Sequence, residues 1–119
     1  MDSYKTINRR NEGIRVPYLR FKGFPEVFLE ELTPKVVEEF AGIVQIPKEI
    51  VKIEGLPYQI ITNTPLSVEI LMFQRSQEIH DAIAASIHDI LSEHGYRNVH
   101  IFFVILQRNL YYKEGRPLE

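Results

Sequence analysis

"IRVPYLRFKGF", residues 14–24, decides how the chain is divided and how its folded part begins. Pro17 heads a short run, Pro17–Phe21, with the composition of a strand, and Gly23 then turns the chain. Proline brings no hydrogen to a sheet ladder, so it belongs at a strand's first residue or on an edge. Upstream, residues 1–15 carry Lys5, Arg9, Arg10 and Arg15 among Asp, Ser, Asn and Gly. Apolar residues there are sparse and without period, which predicts a flexible N-terminal extension. Residues 16–119 are then the folded domain.

Downstream, the apolar period changes from two to between three and four. Pro25 suits a first helical turn, and Glu26, Glu30 and Glu31 suit a helix N-terminal end. Phe28, Leu32, Val36, Val37, Phe40 and Val44 recur at helical steps and predict one buried face. Pro34 interrupts the pattern, so a kink is expected there, or a second segment capped by Thr33. "QIPKEI" ends the helix, because Pro47 cannot continue it. Val51 and Ile53 alternate with Lys52 and Glu54 as a strand does. "GLPYQIITNTPLS" is rich in turn formers, with a β-prone piece at Tyr58–Thr62. "SVEILMFQ" is nearly continuous in apolar residues, as a central strand covered on both sides would be. Ser76 can cap a second helix whose buried face is Ile79, Ile83, Ile87, Ile90 and Leu91, and Gly95 stops it. "NVHIFFVIL" is the strongest strand signal of all.

The order is strand, helix, strand, repeated once: residues 17–56 and 68–106 follow one plan. Each half is a βαβ unit with a right-handed crossover. The fold class is therefore α+β, a four-stranded mixed sheet with two helices on one face. The other face has no cover within the chain. Its strands are apolar on both sides, and a bare patch of that kind is unusual on a monomer. A homo-oligomer is expected.

Composition narrows the function classes. The chain has 119 residues, 45% of them hydrophobic, a formal net charge of −2 and no cysteine. That length makes one domain, burying roughly two thirds of its unfolded surface. The charge balance predicts no nucleic-acid partner, and the absence of cysteine excludes a disulfide scaffold. No apolar run approaches a membrane span, and "MDSYKTINRRNEG" lacks the apolar core of a secretory signal. A cytoplasmic, soluble protein is expected.

"PYLRF", "FLEELTPKVVEEFAGIVQIPKEIVKIEGLP" and "NVHIFFVIL" together resemble the tautomerase superfamily, which includes macrophage migration inhibitory factor. "VPYLRFKGF" with "VEILMFQRSQEIHDAI" resembles more closely a small bacterial family of unknown function on the same fold. The resemblance spans about residues 16–112. It implies a homotrimer packed around a central axis and proton transfer on small oxo acids. It also implies no metal or organic cofactor, and an amino-terminal proline as base, which here would be Pro17. A terminal proline is a secondary amine whose pKa an apolar site and nearby cations lower, so it can take a proton near neutral pH. Inside a chain the same nitrogen is an amide with a delocalised lone pair. Val16 offers a route out, because a GTG valine codon can initiate translation and methionine is trimmed before proline. The competing expectation is a non-catalytic oligomeric binding protein that keeps the fold.

Arg75 lies between a central strand and a helix start, where free N–H groups also point. It is a candidate partner for a substrate carboxylate, and its ordinary reading is a surface arginine paired with Glu78. His100 and Phe102 share one side of the last strand and are candidate substrate-binding residues by the resemblance. Their ordinary reading is packing or subunit contact. Gln45 stands where some superfamily members place a substrate-binding lysine. His80, His88 and His94 lack the four-residue spacing of helical metal ligands, and His80 and His88 are expected to be solvated. Tyr111 and Tyr112 could pack on a neighbouring subunit.

Overall fold

The computed structural model describes residues 16–118. The extension expected over residues 1–15 lies outside the described residues. Strand β1 is Tyr18–Lys22, helix α1 Glu26–Val44 and strand β2 Lys52–Leu56. Strand β3 is Ser67–Phe73, helix α2 Gln77–Glu93 and strand β4 His100–Leu106. Two short strands, β5 (Tyr112–Lys113) and β6 (Arg116–Pro117), form a terminal hairpin. Its two-residue turn, Glu114–Gly115, has positive φ at both positions, which matches the right-handed twist of the flanking strands.

The four long strands form one sheet in the order β2-β1-β3-β4. β1 runs parallel to β2 and β3 parallel to β4, while the two halves meet through antiparallel β1 and β3. Parallel neighbours need a crossover, and each half supplies one helix for it. The sheet is therefore mixed, as the repeated pattern predicts. β1 begins one residue later than the sequence suggests. Pro17 contributes only its carbonyl, which accepts the Lys52 N–H at 3.3 Å.

Both helices lie on one face. Leu19 and Phe21 of β1 and Val68, Ile70 and Met72 of β3 point under them. There they meet Leu29, Leu32, Val36, Phe40 and Val44 of α1 and Ile83, Ile87, Ile90 and Leu91 of α2. Each such side chain stabilises the fold by roughly 1.5–3 kcal/mol relative to exposure. α2 starts as expected, with the Ser76 hydroxyl accepting the Ile79 N–H. It ends at Gly95, whose φ of +89° only glycine adopts without strain.

Three expectations need correction. α1 is one continuous helix through Pro34, not two segments. Thr33 does not cap; its hydroxyl donates back to the Leu29 carbonyl at 2.6 Å, and Pro34 sits on the exposed side of the helix. Tyr58–Thr62 is loop rather than strand. β3 is central, but helices cover only one of its faces. Among the described residues no helix is long and apolar enough to cross a membrane.

Candidate functional site

The N-terminal end of β1 lies beside the C-terminal end of β3, because the two strands are antiparallel. Tyr18 pairs with Leu71, so Pro17 stands at the level of Met72. A small cavity of about 110 Å³ opens at this corner. Pro17 lines it with Phe40, Val44 and Ile46 beneath, and with Phe73, Gln74, Arg75 and Arg108 around it. Pro17 is itself fully buried, under 2% exposed. Val16 lines the same cavity and is 5% exposed. An apolar floor with two guanidinium groups beside it is a chemically defined place. Its floor disfavours a charged amine, and its cations attract a carboxylate.

Arg75 is held at both ends. Its backbone N–H donates to His80 Nε2 at 3.0 Å, and Nη1 donates to the Val44 carbonyl at 3.3 Å, at the end of α1. The expected pairing with Glu78 is not made; the helix carbonyl takes its place. His80 is also unlike the expectation. It is 9% exposed rather than solvated, because position 80 falls on the face of α2 that meets β4, edge-on to Phe103 at 4.3 Å. His88 is exposed, within 3.3 Å of Ser92.

Arg108 was hidden in a segment that reads as a trailing turn. It sits in a short 3₁₀ turn, Arg108–Leu110, just after β4, and stacks over the Phe73 ring at 4.5 Å. The turn returns the chain to the Pro17 corner, which no local periodicity signals. Next to it, Tyr111 lies edge-on to Phe73, and its hydroxyl meets that of Tyr18 at 3.1 Å. Burial, then the hydrogen bond and charge interaction with Tyr18, push the Tyr111 hydroxyl up from 10.0 to about 12. Lys52 covers the other side of Tyr18, 4.7 Å from its ring.

The candidate residues thus divide. Pro17 and Arg75 come together in one cavity. His100 and Phe102 do not join them. His100 pairs with Ser67 at the far end of the sheet, and Ile105 with Met72 near Pro17. Five residues of strand, about 16 Å, separate those levels. Both side chains face away from the helices, and Phe102 is 44% exposed. Gln45 lies outside the cavity too. It is exposed and ends α1 with a left-handed φ of 62°. Among the described residues no three His, Asp or Glu side chains gather as a metal site would require.

Comparison with known proteins gives the family. No curated protein matches the chain. A protein of unknown function from Vibrio cholerae O1 biovar eltor str. N16961 is 28% identical, with a TM-score of 0.78 and 88% of each chain covered. A macrophage migration inhibitory factor-like protein from Entamoeba histolytica is 9% identical at a TM-score of 0.67, covering 85% of this chain and 97% of that one. A fused 4-OT wild-type asymmetric trimer is 14% identical at 0.69, covering 85% and 95%. At those identities the last two establish the tautomerase fold alone. Residues 16–117 match the family described as Domain of unknown function (DUF1904), so the chain belongs to that family, on the fold of the tautomerase superfamily.

Proposed function

We propose that the domain is a cofactor-independent tautomerase of a small oxo acid, active when its chain begins at Pro17. The observation that carries this reading is the shared cavity: the ring that would be the base lies with Arg75 and Arg108 on one apolar floor. As a free amine, the Pro17 nitrogen takes a proton from the carbon beside the substrate carbonyl. The electron pair of that C–H bond becomes the C=C bond, and the carbonyl π pair moves to oxygen. A guanidinium holds the developing oxyanion, and the other holds the carboxylate; water gives the oxygen its proton, and the protonated Pro17 nitrogen gives its own to the hydroxide left, which restores both water and the free amine. No atom is lost, so the reaction is an isomerisation.

The fold neighbour described as a 4-OT trimer supports a homotrimer, and the uncovered sheet face gives it a surface to bury. His100 and Phe102 then act across a subunit boundary, on a neighbour's cavity rather than their own. The Vibrio relative supports a bacterial family, and the cytoplasm remains the compartment proposed.

A second reading rests on Val16. While it precedes Pro17, the nitrogen is an amide and the valine side chain lines the cavity. In that form the protein is a non-catalytic carboxylate-binding oligomer. The two readings separate in a phenylpyruvate tautomerisation assay on chain beginning at Pro17, beside a Pro17→Ala control. Loss of roughly 10²–10⁴-fold in the control supports the enzyme, at the usual worth of a positioned base. Equal rates from both discard it. The amino terminus of protein from its natural host, read by mass spectrometry, tells which form the cell holds.

A further inference from the structure

Arg75 lies just beyond the end of β3 and precedes the cap of α2, a place where an arginine side chain could swing widely. What stops its backbone from doing so is a side chain from α2. His80 reaches back to accept the Arg75 N–H at 3.0 Å, while the Ser76 hydroxyl accepts from Ile79. Acceptance at Nε2 assigns the tautomer: in the neutral ring the hydrogen sits on Nδ1. That Nδ1 is buried and has no hydrogen-bond partner among the described residues. A buried donor without an acceptor is destabilising. Leucine or phenylalanine would fill the same space against Phe103 without that penalty. What the imidazole alone adds is the acceptor for Arg75. The hydrogen bond also lies between two cavities that share Gln74 as a wall. One holds Pro17, Arg75 and Arg108; the other, about 270 Å³, is lined by His80 with Gln77, Asp81, Ala84, Phe103 and Ile105.

We propose that His80 is a positioning residue for the anion site: by accepting the Arg75 amide hydrogen it fixes where the Arg75 guanidinium stands beside Pro17. His80 touches no substrate and acts only through Arg75. The inference rests on the reading that the Pro17 cavity holds a carboxylate, but it needs no catalysis. The Val44 carbonyl completes the arrangement by holding Nη1, so the arginine is tethered at its backbone by α2 and at its tip by α1. Asp81 is the charged group lining the cavity beside the ring; Glu78 and Arg75 are its other charged neighbours in the chain.

The test is pyruvate binding to the full-length, ¹⁵N-labelled protein, followed by NMR at the Arg75 amide. The wild type is expected to bind, with the Arg75 signal moving. His80→Leu is expected to raise Kd roughly tenfold, the scale of one hydrogen bond that places a charged group. His80→Gln, whose amide oxygen can stand where Nε2 stood, is expected to stay within about threefold of wild type by the same reasoning. In an Arg75→Ala background, His80→Leu is expected to change Kd no further, since the two act as one unit. Where His80→Leu does not fold, His80→Phe carries the same expectation. Wild-type binding with an indifferent His80→Leu overturns the assignment alone. A loss that persists without the Arg75 side chain makes His80 merely structural, and also overturns it. Failure of the wild type to bind pyruvate overturns the carboxylate reading beneath it.

Discussion

On β1, Leu19 and Phe21 point under the helices and are fully buried, while Tyr18, Arg20 and Lys22 point the other way and stay half-buried. The same alternation runs through β3, where Val68, Ile70 and Met72 are buried and Glu69, Leu71 and Phe73 are not. β4 adds His100, Phe102 and Val104 to the uncovered side. The helix side is apolar apart from His80. The bare side is split: a charged set runs across β2, β1 and the middle of β3, where Arg20 meets Glu54 at 2.9 Å and Glu69 at 3.6 Å, and an apolar stretch holds Leu71, Phe73, Phe102 and Val104. One face holds the protomer together. The other has the composition of a surface meant for contact, with a charged set that can fix register.

The most severe way to break this contrast is Phe21→Ala. With no exposure in the wild type, that ring leaves a cavity, and denaturant unfolding is expected to lose about 3–5 kcal/mol. Phe102→Lys is the matching change on the bare face. It is expected to leave circular dichroism unchanged and to lower the mass seen by light scattering from that of the proposed trimer to that of the protomer. A wild type that elutes as a clean protomer would erase the distinction between the faces. Arg20→Met sharpens the contrast further. Its ion pairs are substantially exposed in the protomer, so the change there is under about 1 kcal/mol, and any larger loss on association reports burial of the face.

The smallest effect is a titration at the edge of the same face. Tyr111 keeps its proton in the folded state until about pH 12, whereas the unfolded hydroxyl releases it near 10. The folded state binds more protons in that window, so stability is present below pH 10 and falls as pH rises toward 12. Tyr18→Phe removes the hydrogen bond and the charge interaction but not the burial. Absorbance of tyrosinate is expected to show Tyr111 titrating below about 12, yet still above 10.

Much of this was legible in the sequence. The change of period between "PYLRF" and the helix that follows, and its repetition after "SVEILMF", give both βαβ halves and the bare face. Hydrophobic spacing reports on which side of an element is buried, and that is a local property. Pro34 does not divide the helix into two segments, because the packed face of α1 at Leu32, Val36 and Phe40 decides whether the helix continues. Pro17 and Arg75 could be singled out by their places at strand ends. Arg108 and His80 could not. Arg108 reaches the cavity by a turn after the last long strand, and His80 reaches the Arg75 backbone by a ring that crosses from helix to strand end. Both depend on distances between segments far apart in the chain.

Pro17 also separates two variables that are usually tied. Its nitrogen has no part in the ladder, while its carbonyl anchors the edge strand through Lys52. Severing the chain on the amino side of that ring would therefore break no strand pairing among the described residues. Among the described residues the loss is the burial of Val16, roughly 1.5–3 kcal/mol at most for such a side chain. Folding and terminus can be engineered independently: fusions, tags or a bare amine can be exchanged at this corner without redesigning the scaffold.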